Sequence, residues 1–222
     1  VIIDNKIVAD KVIADPEFTK TMPAGVTAAT GMDAITHAVE SYISNMSTAL
    51  TEYHSIKALQ IFHEYLPKAV ADGSDMEARE KMMLGCLIAG FGFSNANLGL
   101  VHGIAHTLSA HFHLAHGVAN ATVLPYVMEY YMASAPKKYN VLADFIENID
   151  KEMTPIEIGI QAGQYIKRIQ QDINLPMKLN ELNIDRNKFD KVAELALTYS
   201  GMDKLPRAMS KESIINILEQ AY

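Results

Sequence analysis

Five of the eight histidines fall between positions 102 and 116: His102, His106, His111, His113 and His116. The flanking segments, Gly99-Leu100-Val101 and Gly117-Val118-Ala119, are small or apolar. Imidazoles placed in such a stretch need partners, because a buried unpaired polar group costs about 1–3 kcal/mol. One metal ion would satisfy several rings at once. A second pair points the same way. Asp33 and His37 are four residues apart, which on a helix brings their Cβ atoms to about 5–6 Å and lets both reach one cation. The same spacing also serves a plain hydrogen-bonded or surface pair. His102 and His106 repeat it. His116 would lie about 21 Å beyond His102 on one straight helix, too far to share an ion. A shared ion therefore requires the chain to leave the helix between them, with His111-Phe112-His113-Leu114-Ala115 as the exit and Gly117 as the turn residue. A helix unbroken from 102 to 116 would exclude it.

Other polar residues have simpler readings. His111 and His113 read as loop or pocket-rim residues, and His54 and His63 as solvated positions on an amphipathic helix. His63-Glu64 is not followed by the second histidine of a zinc-protease motif. Cys86 reads as a small buried apolar residue. Glu40 either hydrogen-bonds a ligand histidine or faces water. Lys137-Lys138 reads as an exposed helix start.

The elements that must position these groups are helical. Of 222 residues, 49% are apolar and 20% charged, with a net charge of −7; this is the balance of a globular protein. The negative charge argues against nucleic acid as a partner. The single cysteine rules out an intramolecular disulfide and fits a reducing, cytoplasmic compartment. No apolar run of about 18 residues is present, so no membrane span is expected. Val1-Ile2-Ile3 and Lys11-Val12-Ile13-Ala14 read as two short strands. After Pro23 the pattern predicts helices near 27–44, 49–71, 75–94, 100–112, 119–133, 136–148, 155–173, 187–200 and 211–221. Ser74/Glu77 and Thr154/Glu157 read as capping boxes. The 75–94 helix is apolar nearly all round and is expected at the centre. Gly85, Gly90 and Gly92 on it are expected to admit a neighbouring helix or a cofactor.

Two long segments carry a resemblance. Gly31-Met32-Asp33-Ala34-Ile35-Thr36-His37-Ala38-Val39-Glu40, then Gly99-Leu100-Val101-His102-Gly103-Ile104-Ala105-His106 with His116-Gly117-Val118-Ala119-Asn120-Ala121, resemble the signature segments of the iron-containing (group III) alcohol dehydrogenases. The resemblance runs over the whole chain. It implies an all-α, multihelical, dehydroquinate-synthase-like metal-binding domain over 21–222. Residues 1–20 would be a short β edge left from an α/β dinucleotide-binding domain. No Gly-Gly pair occurs here, so the family's Gly-rich dinucleotide loop is missing, and the chain, starting at Val1, reads as a piece of something longer.

Carried over by position, the resemblance implies Asp33, His37, His102 and His116 as metal ligands for Fe2+ or Zn2+. It puts His106 beside nicotinamide and substrate as a catalytic, cofactor-binding residue, Phe93 in the substrate pocket, and Phe18 against the cofactor. It implies oxidation of a small alcohol or reduction of an aldehyde with NAD(P)H, which would be bound mainly by the N-terminal domain, in a homo-oligomeric full-length enzyme; this chain alone would be inactive. Departures are modest: Asn97 and Ser109 stand where Gly is common, Thr107 and Ala115 where Pro is common. The competing classes are a helical metallohydrolase, which usually needs an adjacent His-Asp dipeptide absent here, and a non-catalytic metal-binding helical domain.

Overall fold

A computed structural model describes residues 6, 9–142 and 153–222. After a short 3-10 turn, Pro16–Thr19, the chain enters α1 (Ala24–Ile43). There follow α2 (Ala49–Ala71), α3 (Met76–Ala96), α4 (Leu100–Phe112), α5 (His116–Tyr131), α6 (Pro136–Leu142), α7 (Pro155–Asp172), α8 (Phe189–Ala196) and α9 (Lys211–Ala221). The architecture is all-helical, as expected. Among the described residues no strand forms. Residues 11–14 are without regular structure, and Val12 and Ile13 are exposed; an isolated β-branched run has no ladder to join. The 1–3 run, and the 143–148 end of the expected sixth helix, lie outside the described residues. No single described helix is long and apolar enough to cross a membrane.

Local chemistry explains the boundaries. Thr154 and Glu157 form the expected capping box on α7. For α3 the N-cap is Asp75, which accepts from the Ala78 N–H. Ser74 instead donates to Asp72, so the expected Ser74/Glu77 box gives way to a one-way cap at Asp75. A carboxylate outcompetes a hydroxyl for the orphan N–H groups. A further reciprocal cap, Thr48 with Thr51, starts α2. Lys138 is no ordinary surface lysine. Its Nζ donates to the Tyr42 and Ser44 carbonyls at 2.7 and 3.2 Å and pairs with Glu52 at 3.2 Å, closing the C-terminal end of α1.

The core is organised around α1 and α5 rather than α3. α1 buries 14 of its 20 residues and α5 twelve of 16, whereas α3 buries only seven of 21, which corrects its expected central place. The buried side of α3 is a stripe of small residues, Ala78, Gly85, Ala89, Gly92 and Ala96, with Met82. At Gly85 and Gly92 an added Cβ would fall 2.5 Å from the Phe62 ring and 2.9 Å from Ser55 Oγ, so these glycines let α2 approach closely. Gly90 faces open space. The opposite side of α3 leaves Leu84, Leu87 and Phe91 exposed. Cys86 also is exposed, contrary to its buried reading: on a one-sided helix an apolar residue is not sequestered by type alone.

Two backbone features aim the next helices. Asn97 ends α3 with φ 63° and ψ 175°, and α4 leaves at 105° to α3. His113, left-handed at φ 55°, ends α4, and α5 restarts at His116.

Candidate metal centre

Three helices converge on one point. On α1 the spacing 33, 37, 40 places Asp33, His37 and Glu40 along one stripe. On α4, His102 and His106 share a face; on α5, His116 opens the first turn and Asn120 follows one turn later. The break at His113 turns α5 back so that His102 and His116 face each other, with ring centroids 5.3 Å apart. Gly117 lets α5 sit on α1: an added Cβ there would lie 2.0 Å from the Ala29 carbonyl oxygen. Gly117 thus acts through close approach, inside α5, and not as the turn residue.

The Asp33 carboxylate is the hub. Its Oδ1 lies 3.7 Å from His102 Nε2 and 3.6 Å from His116 Nε2. Ligating atoms of Asp33, His37 and His102 all lie within 4.8 Å of one another. The His37 ring stacks between His102, at 4.6 Å, and Phe93, at 4.5 Å. His106 is half-buried at the edge, stacked on His116 at 4.7 Å and tilted against Tyr199 at 5.5 Å.

Glu40 is fully enclosed and resolves its two sequence readings in favour of the histidine. Its Oε2 accepts from His102 Nδ1 at 2.7 Å, and its two oxygens also accept from the backbone N–H groups of Gly99, Val101 and His102 at 3.0, 2.6 and 3.3 Å. It therefore caps α4, and by taking Nδ1–H it directs the opposite nitrogen, Nε2, toward Asp33.

The electrostatics follow from burial against charge. Burial opposes ionisation of Asp33, but its hydrogen bond to His102 and the surrounding imidazoles outweigh this and hold it at about 2. Burial likewise opposes charge on His102, yet hydrogen bonds to Asp33 and Glu40 raise it to about 9. His37 and His106 are pushed down to about 4 by burial and by neighbouring imidazoles, and burial lowers His116 as well. In the cation-free chain the Asp33 carboxylate therefore faces the His102 imidazolium among rings that burial and neighbouring imidazoles keep from charging. Imidazole and carboxylate together are donors for Fe2+ and Zn2+ alike. Asn120, fully buried among these groups, donates to Asp33 Oδ1 and leaves its own Oδ1 without a partner.

The four residues expected as ligands, Asp33, His37, His102 and His116, are thus brought together, with His106 and Phe93 beside them. Phe18 is 85% exposed on the 3-10 turn, which packs on α3. His111, expected in the loop, is exposed in the last turn of α4, His113 is exposed at its C-cap, and His54 and His63 lie on α2 outside the cluster. Asn120 and Tyr199 are additions that the sequence reading missed. The four-residue step from His116 to Asn120, the same spacing that drew attention to Asp33 and His37, was the available signal for the first.

Residues 27–222 match the family model described as Fe-containing alcohol dehydrogenase family, C-terminal. This chain belongs to the iron-containing alcohol dehydrogenase family. Among its relatives, 1,3-propanediol dehydrogenase of Citrobacter freundii is 41% identical over 95% of this chain and 54% of its own length. Lactaldehyde reductase of Escherichia coli is 35% identical over 100% of this chain and 58% of its own length. The crystal structure of a 1,3-propanediol oxidoreductase superposes with a TM-score of 0.90 at 38% identity, covering 94% of this chain and 55% of that one. The chain spans about half the length of these iron-containing alcohol dehydrogenase relatives.

Proposed function

We propose that this chain provides the metal centre and the substrate-side residues of an NAD(P)-dependent alcohol dehydrogenase acting on a small alcohol or aldehyde. The observation that carries this reading is the meeting of the Asp33 carboxylate with imidazoles from α1, α4 and α5, two of them within 3.7 Å of one oxygen. Relatives named for 1,3-propanediol and lactaldehyde support the substrate class.

Asp33, His37, His102 and His116 would hold Fe2+ or Zn2+. When bound, a divalent ion at this place favours the ionised form of an alcohol oxygen over the neutral one, which readies the carbon for loss of hydride. Glu40 takes the Nδ1–H of His102, so Nε2 is the nitrogen that would give up its proton to a cation. Phe93, stacked on His37, keeps water from that side. His106 faces outward at the rim. A ring nitrogen there, kept neutral by burial and the neighbouring imidazoles, relays the alcohol proton to solvent, and relays one from solvent when an aldehyde is reduced. Residues 21–222 form the metal-binding unit in this reading. Residues 1–20, with Phe18 toward the cofactor, adjoin a dinucleotide-binding domain of the homo-oligomeric full-length protein. That domain would hold NAD(P)H, so this chain alone binds metal without turnover.

Metal content tests the ligand set. The chain is loaded anaerobically with Fe2+ or Zn2+, dialysed and analysed by elemental mass spectrometry. Asp33→Ala and His102→Ala are expected to lose the ion; stoichiometric retention in either would sink the assignment. In the full-length enzyme, His106→Ala is expected to keep the ion and lose about 10²–10⁴-fold in kcat.

A further inference from the structure

We propose that Asn120 is a positioning residue of this centre: its side-chain amide holds Asp33 for the cation, and in the cation-free chain the same NH2 group bridges Asp33 to His116. The inference rests on the metal reading above and adds a residue that the ligand set does not contain.

Asn120 sits one turn after His116 on α5 and is completely buried. Its Nδ2 donates to Asp33 Oδ1 at 2.5 Å and lies 3.1 Å from His116 Nε2 and 3.5 Å from His102 Nε2. An amide nitrogen has two hydrogens. One is committed to the carboxylate. The nearer imidazole nitrogen, on His116, takes the other. The amide orientation is fixed by the carboxylate: turned over, Oδ1 would face Asp33 oxygen to oxygen. The residue is therefore a donor to the centre and not a ligand through its carbonyl. The orphaned Oδ1 is the second observation. A buried amide that leaves its acceptor unpaired is poorly suited to stabilising the fold, since an apolar side chain of the same shape would avoid that loss. What Nδ2 does to Asp33 accounts for an amide at this position.

This arrangement assigns the two N–H groups different fates. When a cation claims the Nε2 lone pair of His116, the N–H directed there loses its acceptor. The N–H on Asp33 remains and keeps one carboxylate oxygen engaged, restricting how that carboxylate can turn. Partners of this kind, one step out from the ion, are worth about 10–100-fold in metal affinity.

The test uses Co2+ as the probe, followed through its visible absorption bands, with the 222-residue chain and its Asn120→Leu and Asn120→Ala variants. The leucine keeps the volume and removes both the donor and the orphaned acceptor. For Asn120→Leu the expected result is a Co2+ Kd raised about 10–100-fold, with the melting temperature of the cation-free chain unchanged or higher. A structural role would do the reverse, lowering that temperature and leaving Kd alone. A Kd within threefold of the unsubstituted chain in either folded variant overturns the inference. Failure of the unsubstituted chain to take up Co2+ overturns the metal reading and this inference together. A measurement without substitution guards against variants that do not fold. In a 15N–1H spectrum the two Asn120 side-chain protons should respond unequally to Zn2+, one shifting and one remaining protected. Identical spectra before and after loading would also overturn it.

Discussion

The Glu40 carboxylate on α1 and the His102 ring on α4 meet at 2.7 Å, and both side chains are 1% exposed. One contact does two things. It sets which imidazole nitrogen faces Asp33, and it anchors the first turn of α4 to α1 through three backbone N–H groups. Glu40→Ala is accordingly expected to destabilise the chain by about 3–5 kcal/mol, because several buried donors lose one charged acceptor. Urea denaturation of the cation-free protein measures it. A loss below 1 kcal/mol would show that the α4 start is satisfied by water.

Gly117 sets the distance between α5 and α1. A methyl group there would meet the Ala29 carbonyl oxygen at 2.0 Å, and that partner is backbone, which cannot rotate away. Gly117→Ala should cost about 2–3 kcal/mol. By lifting α5 it should also separate His116 from Asp33, so Co2+ affinity falls along with stability. A variant with native denaturation midpoint and native affinity would contradict the close packing.

Stability of the cation-free chain should peak near pH 6.5. His37, at about 4 against an ordinary 6.5, refuses a proton that the unfolded chain accepts. Between pH 6.5 and 4 the folded state therefore loses ground as pH falls. His102, at about 9, holds a proton that the unfolded chain releases; its contribution is complete below pH 6.5 and is lost as pH rises through 9. Asp33, at about 2, contributes above pH 3.8 and leaves this window unaffected. Melting temperatures in EDTA from pH 4 to 9 should show a maximum, and a monotonic profile would contradict the charge arrangement.

Asn97 occupies a backbone conformation, φ 63° and ψ 175°, that essentially only glycine adopts without strain. Its side chain gains only a 3.4 Å contact to the Met46 sulfur. Asn97→Gly should stabilise the chain by about 1 kcal/mol, read from the denaturation midpoint. The 105° bend and the metal centre should be unaffected.

What could be read from the sequence followed period and spacing. Asp33 with His37, and His102 with His106, were visible because four residues make one helical turn. The need for a break before His116 followed from the rise of a helix, and left-handed His113 supplies it. What could not be read depended on which side of an element is covered. α3 is apolar on all sides, so its sequence could not show that Cys86 and Phe91 lie outward while Gly85 and Gly92 lie inward. Lys138 looked solvated because its acceptors, the carbonyls of Tyr42 and Ser44, are nearly a hundred residues away. Asn120 escaped notice because amides are common in helices, and only the fold shows that this one reaches Asp33.

The convergence of Asp33, His102 and His116 also bears on folding kinetics. Asp33 lies on α1, far along the chain from His102, and a helix break parts His102 from His116, so the three meet only once α1, α4 and α5 have docked. A ligand shared among them would find no binding place in the unfolded ensemble and would act after the docking step. It would therefore retard unfolding far more than hasten folding, so that the lifetime of the native state, rather than its rate of formation, would respond to occupancy.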